Sequence, residues 1–414
     1  MNLRQSMPPF AVIEAALRRT TEHLARELHA PGTVAPEWNE LEWSVARAVS
    51  SMQGITVLLA NRLRWRGPDS WQKFLLAQRA LATMRDAHIE ALLVRIDASM
   101  NAGGVACIGL KGAALRKLGL YRCGERPMGD VDLLALPRDA ERVAQIMRGL
   151  DYALAFEVRR HTVYAPSASV ATVHPGEHPD NALKIEVHAK VAEALPVEQV
   201  GISAAWLDGR TPPGIAPYPT VAELMRHLLL HAAGNMRAHA LRQIQLHDIA
   251  LLAAQLTVAD WQRLLNTPET LGSAWWMLPA LALTEQYYPG TFAPSLLAEF
   301  DARCPPLLRH RAVRTTLTHV SWSNLRIAAF PGIHWSRSPR EALRFARTRI
   351  FPNRVALAEL SIGTATQPAL EQVGWYGISH FRRILRWTFA RAPRAQTVMS
   401  LQAALAAGDA SLNA

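Results

Sequence analysis

Cysteine is scarce in this chain of 414 residues, where Cys107, Cys123 and Cys304 are the only three. An odd number without a C-x-x-C spacing excludes a disulfide framework and a thiolate zinc site, and points to a reducing, cytoplasmic compartment. Long apolar runs are missing as well. No stretch approaches the ~18 residues that a membrane-spanning helix needs, and the longest candidates, residues 249–256 and 274–283, read as buried helix segments. The N-terminal stretch is broken by Glu14, Arg18, Arg19, Glu22 and Arg26, charges that the apolar region of a secretion signal does not tolerate. Lysine is nearly absent: only Lys73, Lys111, Lys117, Lys184 and Lys190 occur, so almost all of the 45 Lys plus Arg is arginine. Set against 34 acidic residues, this leaves a net charge of +11. Such a surplus suits an anionic partner such as nucleotide, nucleic acid or phosphate. With half of its residues hydrophobic and 19% charged, the chain has the composition of packed domains and not of disordered segments.

Apolar residues at three- and four-residue spacing from Phe10 to about Met100 predict about four helices, punctuated by Pro31, Pro36, Gly67 and Pro68. The character then changes. A loop at 101–104 leads into the continuous apolar run 105–110, the signature of a buried strand. A short helix is expected over 113–120, a glycine- and proline-bearing loop over 121–129, a strand over 131–136 and an amphipathic helix over 138–150. Further strands are expected at 153–158, 161–164 and 182–187, with a Pro- and His-rich loop at 173–180 between the last two. After Pro196 the helical period returns at 221–233, 241–256 and 261–265. The chain therefore reads as α+β in four regions: N-terminal helices (1–100), an α/β core (101–200), a helical bundle (201–337) and an arginine-rich helical segment (338–414). That last segment carries Arg340, Arg344, Arg347, Arg349, Arg354, Arg382, Arg383, Arg386, Arg391 and Arg394.

The sharpest motif is Met128-Gly129-Asp130-Val131-Asp132-Leu133-Leu134. Side chains alternate along a strand, so Asp130 and Asp132 share one face while Val131 and Leu133 turn to the core. Two carboxylates so placed repel, and a divalent cation with oxygen ligands relieves them. Lys184-Ile185-Glu186-Val187-His188 alternates in the same way. If this strand runs beside 131–136, Glu186 completes a three-carboxylate cluster able to hold two Mg²⁺ ions. Upstream, Gly109-Leu110-Lys111-Gly112 reads as a strand, a turn and a helix start that admits phosphate, although the spacing of a Walker A loop is absent. Arg122 and Arg126 precede the acidic motif, where guanidinium groups suit a triphosphate. His227 and His231 lie four apart on one helix face but lack the glutamate of the metalloprotease signature. A hydrogen bond from His231 to Asp248, or a role for Arg242 or Asp248 in positioning substrate, is the expected arrangement.

The Lys-Gly turn, Asp130-Val131-Asp132 and Glu186-Val187-His188, in that order, resemble the polymerase-β-type nucleotidyltransferase superfamily. The nearest branch is an uncharacterised bacterial group with Lys-Gly in place of Gly-Ser, and the likeness covers about residues 105–256. The resemblance implies a small mixed sheet with helices packed on it, a helical bundle over the cleft, and Mg²⁺-dependent transfer of a nucleoside monophosphate, AMP in the first instance, from ATP or another NTP. By position it makes Asp130, Asp132 and Glu186 the catalytic metal ligands. Lys111, Gly112, Arg122, Arg126 and Gly129 would bind the nucleotide, and His188, His231, Arg242 and Asp248 would position substrate. The turn, its longer distance to the carboxylates and Glu186 in place of aspartate depart from the superfamily pattern. The acceptor is open among a modified peptide, a sugar, a small molecule and a nucleic acid end, with no membrane involved. Two other readings remain at this level: a non-catalytic module that binds an anionic ligand on the same fold, and a kinase-like phosphotransferase.

Overall fold

The computed structural model describes residues 8–158, 161–168, 176–178, 181–203, 205–208, 210–267, 273–353, 379–389 and 392–412. The chain opens with four helices, as its periodicity predicts: α1 (Phe10–Glu27), α2 (Glu40–Gln53), α3 (Thr56–Arg62) and the long α4 (Asp69–Ala102). Local chemistry sets their ends. Asn39 accepts from the Glu42 amide while the Glu42 carboxylate accepts from the Asn39 amide, a reciprocal cap that starts α2. Gly54, at φ +68°, ends it in the left-handed conformation that glycine adopts without penalty. Trp38, Trp43, Trp65 and Trp71 cluster here with ring centroids 4.9 to 6.4 Å apart, Trp65 stacked on Trp71 and the other pairs edge-on or tilted.

After α4 the chain enters a six-stranded sheet. Its strands are β1 (Ala106–Gly109), β2 (Asp130–Ala135), β3 (Tyr152–Glu157), β4 (His161–Pro166), β5 (Lys184–His188) and, beyond a small hairpin of β6 (Ala192–Ala194) and β7 (Gln199–Gly201), β8 (Gly214–Ala216). The spatial order is β3-β4-β5-β2-β1-β8. Pairing is mixed: β2 runs parallel to β5 and β1 to β8, while β1–β2, β4–β5 and β3–β4 are antiparallel. Strand β1 is a short continuous apolar run, whereas β2, in the middle of the sheet, alternates at Asp130-Val131-Asp132 and is apolar from Leu133 on. Helix α5 (Gly112–Lys117) follows β1, and α6 (Ala140–Gly149) follows β2 after one 3₁₀ turn at Pro137–Asp139. Each predicted strand of the core is present, with ends moved by one or two residues.

The alternation along β2 and β5 divides two hydrophobic cores. Val131, Leu133, Ile185 and Val187 pack on one side with Ile89, Ile96 and Met100 of α4 and Val143 and Met147 of α6. Leu134 on β2, together with Ile108 and Leu115, belongs to the other, larger core. That core is built mainly from α1, α2 and the C-terminal helices, among them α7 (Val221–Ala238), α8 (Gln243–Ala253), α9 (Val258–Leu265) and α10 (Leu278–Tyr287). The face that carries Asp130, Asp132, Glu186 and His188 therefore looks toward the helical bundle. Among the described residues no helix is long and apolar enough to cross a membrane.

The arginine-rich C-terminal segment is only partly a free basic surface. Arg349 donates to the Ala329 carbonyl at 3.1 Å and lies over the Trp387 ring, and Arg394 lies over Trp322 and donates to the His239 carbonyl. Arg344 and Arg337 pair with Glu198 next to the β6–β7 hairpin. Arg354 and Arg391 lie outside the described residues.

Candidate active site

Parallel pairing of β2 with β5 sets the site. The register places Asp130 opposite Lys184, Asp132 opposite Glu186 and Leu134 opposite His188. Directly paired residues point the same way, so all three expected carboxylates reach one sheet face. On the next strand His161 stands opposite His188, which adds an imidazole to that face.

Lys111 is the cation of this cluster. Its Nζ donates to Asp132 Oδ1 at 2.8 Å, and His188 Nε2 lies 2.9 Å from the same oxygen. The turn that delivers Lys111 is tied to the acidic strand, since the Leu110 amide donates to the Asp132 carbonyl at 2.8 Å. Lys111 itself sits at φ +47°, ψ −111°, a conformation unfavourable to any residue with a Cβ. Gly112 follows where space is tight: a Cβ there would lie 3.0 Å from Met128 Sδ, so the methionine side chain would have to shift. Arg85 of α4 pins the loop before β2, donating to the carbonyls of Met128 at 3.1 Å and Asn181 at 2.7 Å.

Lys111 in contact, with Arg242 and Arg126 at longer range, does not fully offset three buried carboxylates. Burial and the neighbouring Asp132 push the Asp130 carboxyl up. Glu186 is pushed up to about 7 by burial and by Asp130 and Asp132. Asp132 moves the other way: burial opposes its charge, but Lys111 and His188 hold it far below the usual carboxylate range. Burial likewise works against the Lys111 ammonium, and Asp132 and Asp130 more than offset it, leaving its pKa raised.

The remaining expected residues fall into different places. Arg122 lines a cavity of about 310 Å³ with Gly112, Arg116, Tyr121, Arg126 and Met128. Gly129 directly precedes β2, with open space where a Cβ would point. Arg126 is already engaged: it grips Asp248 with Nε to Oδ1 at 2.8 Å and Nη2 to Oδ2 at 2.7 Å, and Tyr121 Oη donates to Oδ1 at 2.6 Å. The expected bond between His231 and Asp248 is thus not formed, because the guanidinium and the phenol take up the carboxylate. His231 Nε2 instead lies 3.1 Å from Asn235 Nδ2, one helical turn along α7. His227 Nδ1 lies 2.6 Å from Tyr218 Oη, so these two histidines serve the bundle interior. Arg242 Nε donates to the Met52 carbonyl at 3.0 Å, anchoring α8 to the N-terminal helices. His161 and Arg85 escaped the sequence reading. Alternation of His161 with Val163 was visible, but its register against His188 was not.

A turn bearing Lys111, a pair of carboxylates on β2 and a third on the adjacent parallel strand are the parts of a nucleotide-transfer class of protein. The chain belongs to the family described as uncharacterised nucleotidyltransferase, whose model matches residues 39–289, more than half of its length. It is therefore a nucleotidyltransferase, an enzyme that transfers phosphorus-containing groups. No curated protein and no solved structure matches the chain.

Proposed function

We propose that the protein moves a nucleoside monophosphate, with AMP from ATP as the leading case, onto a hydroxyl or phosphate of an acceptor, and that it does so with Mg²⁺. The observation that carries this reading is the register of Asp132 against Glu186 with Asp130 on the same face. An all-carboxylate donor set with an excess of negative charge fits a hard divalent ion. Asp130, Asp132 and Glu186 would hold it, and when bound it supplies neutralisation of the phosphate oxygens and activation of an attacking hydroxyl.

The chain's own residues do the remaining work. Lys111 keeps Asp132 charged and oriented, and its Nζ is the cation available to a triphosphate at the Lys-Gly turn. His188 fixes the same Asp132 oxygen from the far side. Arg122 offers a guanidinium to the cavity that Gly112 also lines. Arg126, held by Asp248, fixes the loop that leads to Asp130 and lines the same cavity as Arg122. Burial of the face against the helical bundle lowers the effective dielectric, which strengthens each of these interactions. The acceptor class that suits the reading is a peptide, a sugar or a small molecule, in a cytoplasmic setting.

The test is incubation of the full chain with each NTP labelled at the α-phosphate, Mg²⁺ and panels of candidate acceptors. Pyrophosphate release with label transfer supports the reading, and Asp130→Asn should abolish both. Turnover unaffected by that change sinks it, and release of ADP instead of pyrophosphate reassigns the protein as a phosphotransferase.

A further inference from the structure

The acidic face continues past the three carboxylates into a cluster of different chemistry. His161 Nε2 lies 3.5 Å and His188 Nε2 3.8 Å from the same atom, Glu186 Oε2. One potential ligand atom from each of these three residues lies within 4.8 Å of the other two. The two imidazole rings sit 4.9 Å apart at 42°. Two adjacent strands supply the set, His161 from β4 and Glu186 with His188 from β5, and their pairing locks His161 opposite His188, so the arrangement rests on sheet register and not on a loop. Approaches of 3.5 and 3.8 Å are longer than the ~2.9–3.0 Å of an N–H···O hydrogen bond. They are close to the ~3.3–3.5 Å edges that metal–ligand bonds of ~2.0–2.1 Å generate around a tetrahedral ion.

From this geometry we infer that His161, Glu186 and His188 form a second metal site, for a borderline divalent transition ion of the Zn²⁺ or Co²⁺ type. Imidazole selects such ions, whereas Mg²⁺ demands oxygen ligands. Three protein ligands leave a coordination position open, the pattern of a site that meets substrate and not of a closed structural one. On binding, His188 Nε2 exchanges its contact with Asp132 Oδ1 for the metal, and the neutral ring carries its single proton on Nδ1. Asp132 keeps its ion pair with Lys111. Glu186 thereby joins the oxygen-ligated end of the face to a nitrogen-ligated end, two chemically distinct cation sites sharing one carboxylate. This deepens the proposed function, with which it has Glu186 in common, by assigning a transition ion to the same face.

The experiment uses untagged, chelator-treated full-length protein titrated with Co²⁺ alone. One equivalent should bind with the visible absorption of low-coordinate Co²⁺, and X-ray absorption of the unmutated complex should show imidazole scattering. His161→Gln and His188→Gln should each weaken binding by more than the ~10–100-fold that loss of an outer-shell partner costs. Asp130→Asn should leave the Co²⁺ spectrum in place, and matched circular dichroism establishes that each variant is folded. Absence of imidazole scattering, or equal Co²⁺ affinity in the histidine variants, overturns the inference. The two readings fail separately. Mg²⁺-dependent pyrophosphate release without a Co²⁺ site defeats this inference alone, and a Co²⁺ site in a protein that never releases pyrophosphate defeats the transfer reading alone.

Discussion

Two buried aspartates, Asp132 on β2 and Asp248 on α8, are handled in opposite ways. Asp248 is satisfied: both oxygens accept from the Arg126 fork and one also accepts from Tyr121. Asp132 has Lys111 and His188, but it shares that lysine with Asp130 and Glu186, whose carboxyls are both pushed up in pKa even though Arg242 and Arg126 favour the charge on Asp130 and Lys184 that on Glu186. A closed charge account marks scaffold, because nothing is left to attract a ligand. An open one marks a site, since negative charge that the chain's own cations offset incompletely attracts a cation from outside. The same contrast explains why the expected triphosphate ligand Arg126 and the expected substrate ligand Asp248 were found holding each other.

Breaking the open side has the largest effect. Asp130→Asn should lower nucleotidyl transfer by at least ~10³-fold, the scale of losing one preorganised group at a transfer site. The metal-free protein should melt at the same temperature or higher, because the substitution removes a buried charge that repels its neighbours; scanning calorimetry without divalent ions reads this. A lower melting temperature would show that Asp130 is structural.

Breaking the closed side should act on stability first. Asp248→Ala leaves the Arg126 guanidinium buried without its partner, at a cost of roughly 3–5 kcal/mol, measured as a shift in the urea midpoint at unchanged slope. If the variant unfolds as the wild type does, the pairing is not what holds the 121–129 loop to α8.

Acid sharpens the comparison next. His247, beside Asp248 in the chain, is pushed down to about 3 by burial and then by Arg62. His239 and His334 are pushed down to about 4 by burial and then by Arg394 and Arg311 respectively. Each folded pKa lies below the unfolded one, so the unfolded chain binds more protons and stability falls as pH drops from about 6.5 towards about 4. The slope should reach ~1.4 kcal/mol per pH unit for each such histidine. Denaturant titrations across that window check it, and His247→Gln should remove about one proton from the slope.

The smallest effect belongs to the surface. Arg344→Ala, which removes an exposed contact to Glu198, should leave the denaturation midpoint unmoved, as exposed ion pairs contribute little.

Much of this was legible in the residues because two periods were. Alternation at Asp130-Val131-Asp132 and Glu186-Val187-His188 foretold which side chains share a face, and the sheet obeys it down to the division of its two cores. Glycine and proline punctuation foretold the four N-terminal helices. What stayed hidden was everything that depends on which strand lies beside which. The register of His161 against His188 is a tertiary fact, and so is the reach of Arg126 to Asp248 across 122 positions of chain. Charge counts could not reveal that Arg349 and Arg394 are spent on carbonyls and tryptophan rings, since arginine reads the same in a sequence whether it is solvated or packed.

The parallel pairing of β2 with β5 also bears on how the molecule forms. His188 and Asp132 stand 56 residues apart in the chain, and a parallel pair cannot close through a tight turn. Bringing the carboxylates together therefore means closing the chain around α6 and the β3–β4 hairpin. Because such long-range pairing is intrinsically slow, nascent chains should spend time with that face unassembled. Divalent ions that favour the finished cluster would then raise equilibrium stability and slow unfolding, while leaving the early steps of folding untouched.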